Sequence, residues 1–335
     1  MNDRSTVADP GTPGIVLSGT GGVWQVQLGD GVTVDATMRG RLKRDAERAG
    51  GRRRAGSPRE SGGVLKLAVG DAVTVVSEPG PDGLVVHCIE EIAPRRSQLA
   101  RRAPGGAYGE RVVVANLDQV LVVFAAANPE PHPRMLDRFL VIAEANALRA
   151  RVVVNKCDLR SAPESHALFA DYERAGYPVH YTSVHTGAGL DALREVVQGR
   201  VSALTGPSGV GKSSLMNALF PGLTLRVGAI SESVNKGRHT TVGALLHPLP
   251  GGGFVADTPG LREVGLWGID VREVAVCFPE FAPYLSSCRF ADCTHLVEPG
   301  CALREAVEAG DVSRSRWESY AKLRDELAIA TASSW

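Results

Sequence analysis

Leu204-Thr205-Gly206-Pro207-Ser208-Gly209-Val210-Gly211-Lys212-Ser213-Ser214 fits the pattern G-x-x-x-x-G-K-[ST]. The apolar run Val201 to Leu204 before it reads as a buried strand. Ser214-Leu215-Met216-Asn217-Ala218-Leu219-Phe220 after it spaces its apolar residues by three and four, as a helix does. Strand, glycine-rich turn and helix in that order predict a phosphate-binding loop on an α/β sheet. Gly206, Gly209 and Gly211 let successive backbone N–H groups point at phosphate oxygens, beside the partial positive charge of the helix N-terminus. Lys212 is then placed to bridge β- and γ-phosphates and Ser213 to give its hydroxyl to magnesium, with Pro207, Ser208, Val210 and Ser214 completing the cradle.

A second strand, Arg151-Val152-Val153-Val154, runs into Asn155-Lys156-Cys157-Asp158. A carboxylate at Asp158 can accept both N1–H and N2–H of guanine, whereas adenine has an acceptor at N1 and lacks the amino group, so Asp158 selects GTP over ATP. Asn155 and Lys156 are placed to brace the base and the phosphate loop. The next strand ends in Tyr181-Thr182-Ser183-Val184, where the Val184 N–H is expected to meet guanine O6. Further on, Gly253-Phe254-Val255-Ala256 reads as a strand that ends in Asp257, a position for a carboxylate facing magnesium through water. Thr258-Pro259-Gly260 then turns the chain so that the Gly260 N–H can reach the γ-phosphate. In an ordinary Ras-like GTPase the guanine motif follows the phosphate loop; here it precedes it, so the motifs stand in circularly permuted order.

In that order the motifs resemble the bacterial small-ribosomal-subunit-dependent GTPase family known as RsgA or YjeQ. The resemblance runs from about residue 14 to about residue 328. It includes Gly237-Arg238-His239-Thr240-Thr241, Asp257-Thr258-Pro259-Gly260-Leu261-Arg262-Glu263 and a cysteine-histidine cluster near the C-terminus. It implies a GTP hydrolase stimulated by the 30S subunit and acting in its late maturation; a grip on 16S rRNA by barrel and zinc module in the GTP state, released on hydrolysis, fits that role. Two positions depart from the family pattern: Val184 stands where alanine is more common, and Val242 where a third threonine or serine is usual. Thr240 and Thr241 are therefore the candidates for the switch hydroxyl on magnesium, Thr241 preferred. Leu261 occupies the place of the water-positioning glutamine of Ras-type enzymes and can neither donate nor accept a hydrogen bond. His239 is the candidate to take over that role, the alternative being that it packs or contacts the ribosome.

Charge is balanced at 37 basic and 37 acidic residues, so net charge excludes nothing, and its distribution carries the information. Arg39, Arg41, Lys43, Arg44, Arg48, Arg52, Arg53, Arg54 and Arg59 face only Asp45, Glu47 and Glu60; Arg95, Arg96, Arg101 and Arg102 form a second patch. On a nucleic-acid-binding fold such patches bind phosphates. No apolar run is long enough for a membrane span, and Met1 to Pro13 is polar with no signal-peptide core, so a cytoplasmic protein is expected. In a reducing cytosol, Cys288-x4-Cys293-x-His295-x5-Cys301 suits one tetrahedral structural zinc ion better than disulfides.

A chain of 335 residues suggests two or three domains. Residues 1–13 read as a disordered tail. Residues 14–93 hold five short strands, Gly14 to Leu17, Val23 to Val26, Val32 to Val34, Ala72 to Val76 and Leu84 to His87, which suit a small β-barrel. The resemblance implies an OB-fold that binds RNA, and the strand pattern fits an SH3-like barrel nearly as well. Trp24 is either a core residue or a base-stacking platform. Residues 94–109 read as a polar linker, with Ser97, Arg101 and Arg102 mobile. Residues 110–274 alternate strands and helices as a parallel α/β GTPase domain, and 275–335 form a helical zinc-binding domain closed by a helix from Ser313 to Ala330. That helix either covers the zinc module or touches RNA. A monomer is expected. Two other readings remain: an RNA-binding assembly scaffold whose nucleotide site hardly turns over, and a P-loop kinase or ATPase, which Asp158 disfavours.

Overall fold

The computed structural model describes residues 11–40, 42, 66–80, 83–102, 110–223, 244–257 and 269–332. Among the described residues, five strands come first: β1 (Thr12–Thr20), β2 (Val23–Leu28), β3 (Thr33–Met38), β4 (Ala72–Pro79) and β5 (Val85–Ile92). They close into a barrel in the order β1-β2-β3-β5-β4. β3 and β5 run parallel and β4 returns antiparallel to β1. A meander would pair β3 with β4, so the crossover decides for the OB topology over the SH3-like one. Val16, Val26, Ala36, Val73, Val75 and Ile89 fill the interior. Trp24 packs against this core, its ring lying where a Cβ on Gly19 would sit, which makes it a packing residue.

The first strand begins at Thr12, ahead of the expected Gly14, because Thr12 and Pro13 pair with Val75 and Thr74 of β4. Most of the expected basic insertion, Arg41 to Arg59, lies outside the described residues. Arg39 is described, and it is paired with Glu78 at 2.5 Å and with Glu90.

The expected linker is structured over its first half. β6 (Gln98–Arg102) pairs antiparallel with β7 (Glu110–Ala115), with Leu99 and Ala100 buried. Ser97 is held too, its Oγ donating to the Leu117 carbonyl oxygen at 2.5 Å. Nor is Arg95 a free cation. Its Nε and Nη2 donate to Asp71 at 2.7 and 2.9 Å, and Nη2 also donates to the Lys66 carbonyl oxygen at 2.7 Å. Asp71 is fully buried, so its charge requires such a partner. This pair fastens the barrel to the segment that leads into the sheet.

The sheet alternates with helices: β8 (Gln119–Ala125), α1 (Pro133–Ala145), β9 (Ala150–Asn155), α2 (Ala162–Arg174), β10 (Val179–Tyr181), α3 (Leu190–Val197), β11 (Val201–Thr205), α4 (Lys212–Leu219), β12 (Leu245–Pro248) and β13 (Phe254–Asp257). The order is β10-β9-β8-β11-β13-β12, and only β12 is antiparallel to its neighbour. β8 is buried along its whole length, as a central parallel strand covered on both faces must be. Val120, Val122 and Phe124 face one core with α1 and α2, while Leu121, Val123 and Ala125 face another with α3 and α4. From β8 the chain turns to β9 and β10 on one side; from β11 it turns to β13 and β12 on the other. The crevice between β8 and β11 is thus a topological switch point, where open α/β sheets bind ligands.

Among the described residues, three further α-helices follow, α5 (Ala282–Leu285), α6 (Ala302–Ala309) and α7 (Arg314–Ala332). Phe278 stacks on Phe281 at 4.8 Å, and Tyr320 of α7 meets both rings edge-on. These residues belong to the same apolar cluster as the α1 and α2 face of the sheet.

Candidate functional site

The phosphate loop leaves β11 at Gly206, with φ at +134°; a Cβ there would stand 2.0 Å from the Val123 carbonyl oxygen of β8. Only glycine can let the loop start this close to the neighbouring strand. Lys212, at the first turn of α4, donates through Nζ to the carbonyl oxygens of Gly206 and Pro207 at 2.8 and 2.6 Å. Its ammonium is therefore held inside the mouth of the loop. Ser213 is buried beside it in the same turn.

Asn155 ends β9, on the other side of β8 from the loop. Its Nδ2 donates to the Val210 carbonyl oxygen at 3.0 Å, and its Oδ1 accepts from the Thr182 hydroxyl at 3.3 Å. One buried amide thus ties the guanine motif to the phosphate loop and to the strand end after β10. Gly211 makes this possible, since a Cβ at that residue would lie 2.6 Å from Asn155 Nδ2. Lys156 has a left-handed backbone, with φ at +60°. That turn sends its side chain past Gly211 to the Asn128 carbonyl oxygen.

Asp158 accepts a hydrogen bond from the Ser183 hydroxyl at 2.5 Å, which holds its carboxyl below the usual carboxylate range. The carboxylate is therefore kept ionised. Ser183 sits in a tight turn: its N–H donates to the Ala188 carbonyl oxygen at 3.0 Å, and its hydroxyl accepts from the Thr186 N–H at 3.2 Å. Val184 follows it and packs against the α3 and α4 core. Cys157 turns the other way, Sγ towards the Val154 carbonyl oxygen at 3.2 Å, and burial pushes its thiol up. Its backbone N–H, bound to the Thr182 carbonyl oxygen at 3.1 Å, is the part that shapes the site.

Asp257 ends β13 in register with Leu204 of β11, immediately before the phosphate loop. His239, Thr240, Thr241, Gly260 and Leu261 lie outside the described residues.

Cys288, Cys293, His295 and Cys301 come together with their ligand atoms all within 4.8 Å of one another. Cys288 Sγ and Cys301 Sγ are 3.8 Å apart, and His295 Nδ1 lies 3.4 and 3.5 Å from them. Tetrahedral zinc, with Zn–S about 2.3 Å and Zn–N about 2.0 Å, places neighbouring ligand atoms roughly 3.5 to 3.8 Å apart. The donor set therefore fits such an ion. α7 supports the cluster from behind: Trp317 Nε1 donates to the His295 carbonyl oxygen at 2.9 Å and Tyr320 Oη to that of Thr294 at 2.6 Å.

A profile of the RsgA GTPase family matches residues 92–267. The chain belongs to the RsgA GTPase family. It is similar to a protein of Gemmatimonas aurantiaca named small ribosomal subunit biogenesis GTPase RsgA, with 67% identity over 94% of this chain and 97% of that one. A Bacteroides fragilis protein of the same name is 35% identical over 93% and 96% of the two chains. Among solved structures, YjeQ from Thermotoga maritima superposes with a TM-score of 0.74 at 33% identity, covering 95% of this chain and 98% of that one. YloQ, described as a circularly permuted GTPase, gives 0.70 at 26% identity, covering 98% of each chain.

Membership of the RsgA family sits beside one cluster that sequence reasoning passed over. Arg316 of α7 is buried. Its Nη1 donates to Asp137 of α1 at 2.5 Å, its Nε and Nη2 donate to Glu280 at 2.6 and 3.2 Å, and its guanidinium lies 4.6 Å from the Phe278 ring centroid. With Ser313 Oγ donating to Asp171 of α2 at 2.5 Å, it fixes α7 to the sheet's helices. The one available signal was Asp137, a charge at a position of α1 whose neighbours Leu136, Phe139 and Leu140 are all buried.

Proposed function

We propose that the protein is a GTP hydrolase that binds the small (30S) ribosomal subunit, is stimulated by it, and assists its late maturation. The observation that carries this reading is the Asn155 amide, which binds the guanine motif and the phosphate loop into one site despite their permuted order. Relatives named as small ribosomal subunit biogenesis GTPases, matched over nearly the full chain, support the choice of partner.

In this mechanism Asp158 accepts N1–H and N2–H of guanine, while the Ser183 turn presents the Val184 N–H to O6. Lys212 exchanges two neutral carbonyl oxygens for the β- and γ-phosphates, whose charge makes them the stronger acceptors. Ser213, Asp257 and a switch threonine, Thr241 or Thr240, are the oxygen donors suited to magnesium, which when bound neutralises charge on the phosphates. Gly260 contacts the γ-phosphate, and His239 positions the attacking water in place of Leu261. Cys288, Cys293, His295 and Cys301 hold one structural zinc ion. The protein works as a cytoplasmic monomer, its barrel and C-terminal module gripping 16S rRNA in the GTP state and releasing it as GDP forms.

Leu261, in the position of a glutamine, favours a second reading, a scaffold with negligible turnover. Sedimentation with purified 30S subunits tests the shared premise: the protein is expected to pellet with subunits in a non-hydrolysable GTP analogue and to stay in the supernatant with GDP. Failure to pellet in either state would remove the small subunit as partner.

A further inference from the structure

The end of the sheet opposite the nucleotide loops carries an uncompensated cationic strip. Arg149 stands just before β9, Arg151 lies within it, and Arg200 stands just before β11. Arg151 is held by neutral groups: its Nε donates to Gln119 Oε1 at 2.9 Å, and Gln119 Nε2 in turn donates to Ser202 Oγ at 2.9 Å. Arg200 is held by the carbonyl oxygens of Val196 and Glu195 at the end of α3. Among the described residues, none of these arginines takes part in an ion pair. Asp118, at the same end of the sheet, is committed to Arg96 at 3.2 Å and to the Val201 N–H at 2.8 Å. Glu144 lines the same groove of about 460 Å³ as Arg149 and Arg151, but among the described residues it forms no ion pair with either. Burial, and after it the proximity of Arg200 and Arg149, pushes Arg151 down.

We infer that Arg149, Arg151 and Arg200 form a docking surface for the phosphate backbone of RNA, separate from the barrel and the cysteine-histidine module. The inference rests on the proposed binding to the small subunit. Guanidinium forks fit phosphate oxygens, and neutral acceptors hold two of them in place in advance. β9 and β11 are separated by β8, so their first residues stand on the order of 10 Å apart. One small anion cannot span that distance, whereas successive phosphates of a strand can. Because the nucleotide loops are at the opposite end of the strands, RNA can occupy this surface while GTP is bound.

The test uses the full-length protein carrying both Arg149→Gln and Arg200→Gln, which leaves the Arg151–Gln119 contact intact. Binding to 30S subunits and to protein-free 16S rRNA is measured over a salt series. The double variant is expected to bind both about tenfold more weakly, with a log–log salt slope shallower by about 1.5, roughly two phosphate contacts. GTP affinity should be unchanged, and the matching pair of lysine substitutions should keep a near wild-type slope. An unchanged slope and affinity overturns the inference, and so does a loss seen on subunits but absent on protein-free rRNA, which would indicate an acidic ribosomal protein instead. Should the wild-type protein not bind subunits at all, the proposed function fails, and the rRNA measurement still decides the surface.

Discussion

Asn155 Nδ2 donates to the Val210 carbonyl oxygen at 3.0 Å, across 55 positions of sequence. In the permuted chain the guanine motif comes first, but β9 and β11 flank β8, so the two loops still meet at the same ends of their strands. Replacing Asn155 with alanine leaves a buried carbonyl unsatisfied, at a cost of about 1 to 3 kcal/mol. GTP affinity should fall by about tenfold to a hundredfold, measured by titration with a fluorescent GTP analogue, and melting should shift by only a few degrees.

Asp158 is held ionised by Ser183. Asp158→Asn converts one acceptor into a donor and should reject guanine while admitting xanthine, whose C2 carbonyl replaces the amino group. Competition should show the preference of the wild-type protein for GTP over XTP reversed in the variant, with ATP excluded by both. Since the Ser183 bond depresses the Asp158 pKa, ionisation is complete above the ordinary carboxylate range and is lost only as pH falls through the lowered value. Ser183→Ala should therefore move the acid limb of GTP binding to higher pH.

Arg316 is the buried cation between Asp137 and Glu280. Arg316→Met leaves two carboxylates without their partner and should destabilise the protein by about 3 to 5 kcal/mol. Thermal unfolding should show the loss, and adding Asp137→Leu should restore part of it. No restoration would mean that the cation–aromatic packing at Phe278, rather than the ion pair, supports the contact.

The cysteine-histidine cluster predicts one zinc ion per chain. Elemental analysis should find it in the wild-type protein and not in Cys301→Ser. Chelation should change tryptophan fluorescence, because Trp317 is anchored on the carbonyl of His295, a member of the candidate zinc cluster.

The nucleotide loops, the barrel strands and the cysteine-histidine cluster were legible in the sequence because each is a local pattern: glycine and lysine at fixed spacing, alternating apolar residues, clustered thiols. The Asp71–Arg95 and Arg316–Asp137 pairs were not. A lone arginine in a polar stretch looks the same whether it faces solvent or a buried carboxylate, and only the tertiary fold supplies the partner. The stretch 94–109 has the arginine and proline content of a linker, yet it carries β6 because Leu99 and Ala100 have a core to enter. OB topology required knowing that β5 crosses to β3, which strand spacing does not encode.

GTP hydrolysis by the purified protein, alone and with isolated 30S subunits, decides whether the small subunit activates this enzyme, with Lys212→Ala as control. The account predicts slow turnover alone, an increase of about tenfold or more with subunits, and no activity in the variant in either condition. GTP bound tightly by the wild-type protein with no increase on adding subunits would contradict it.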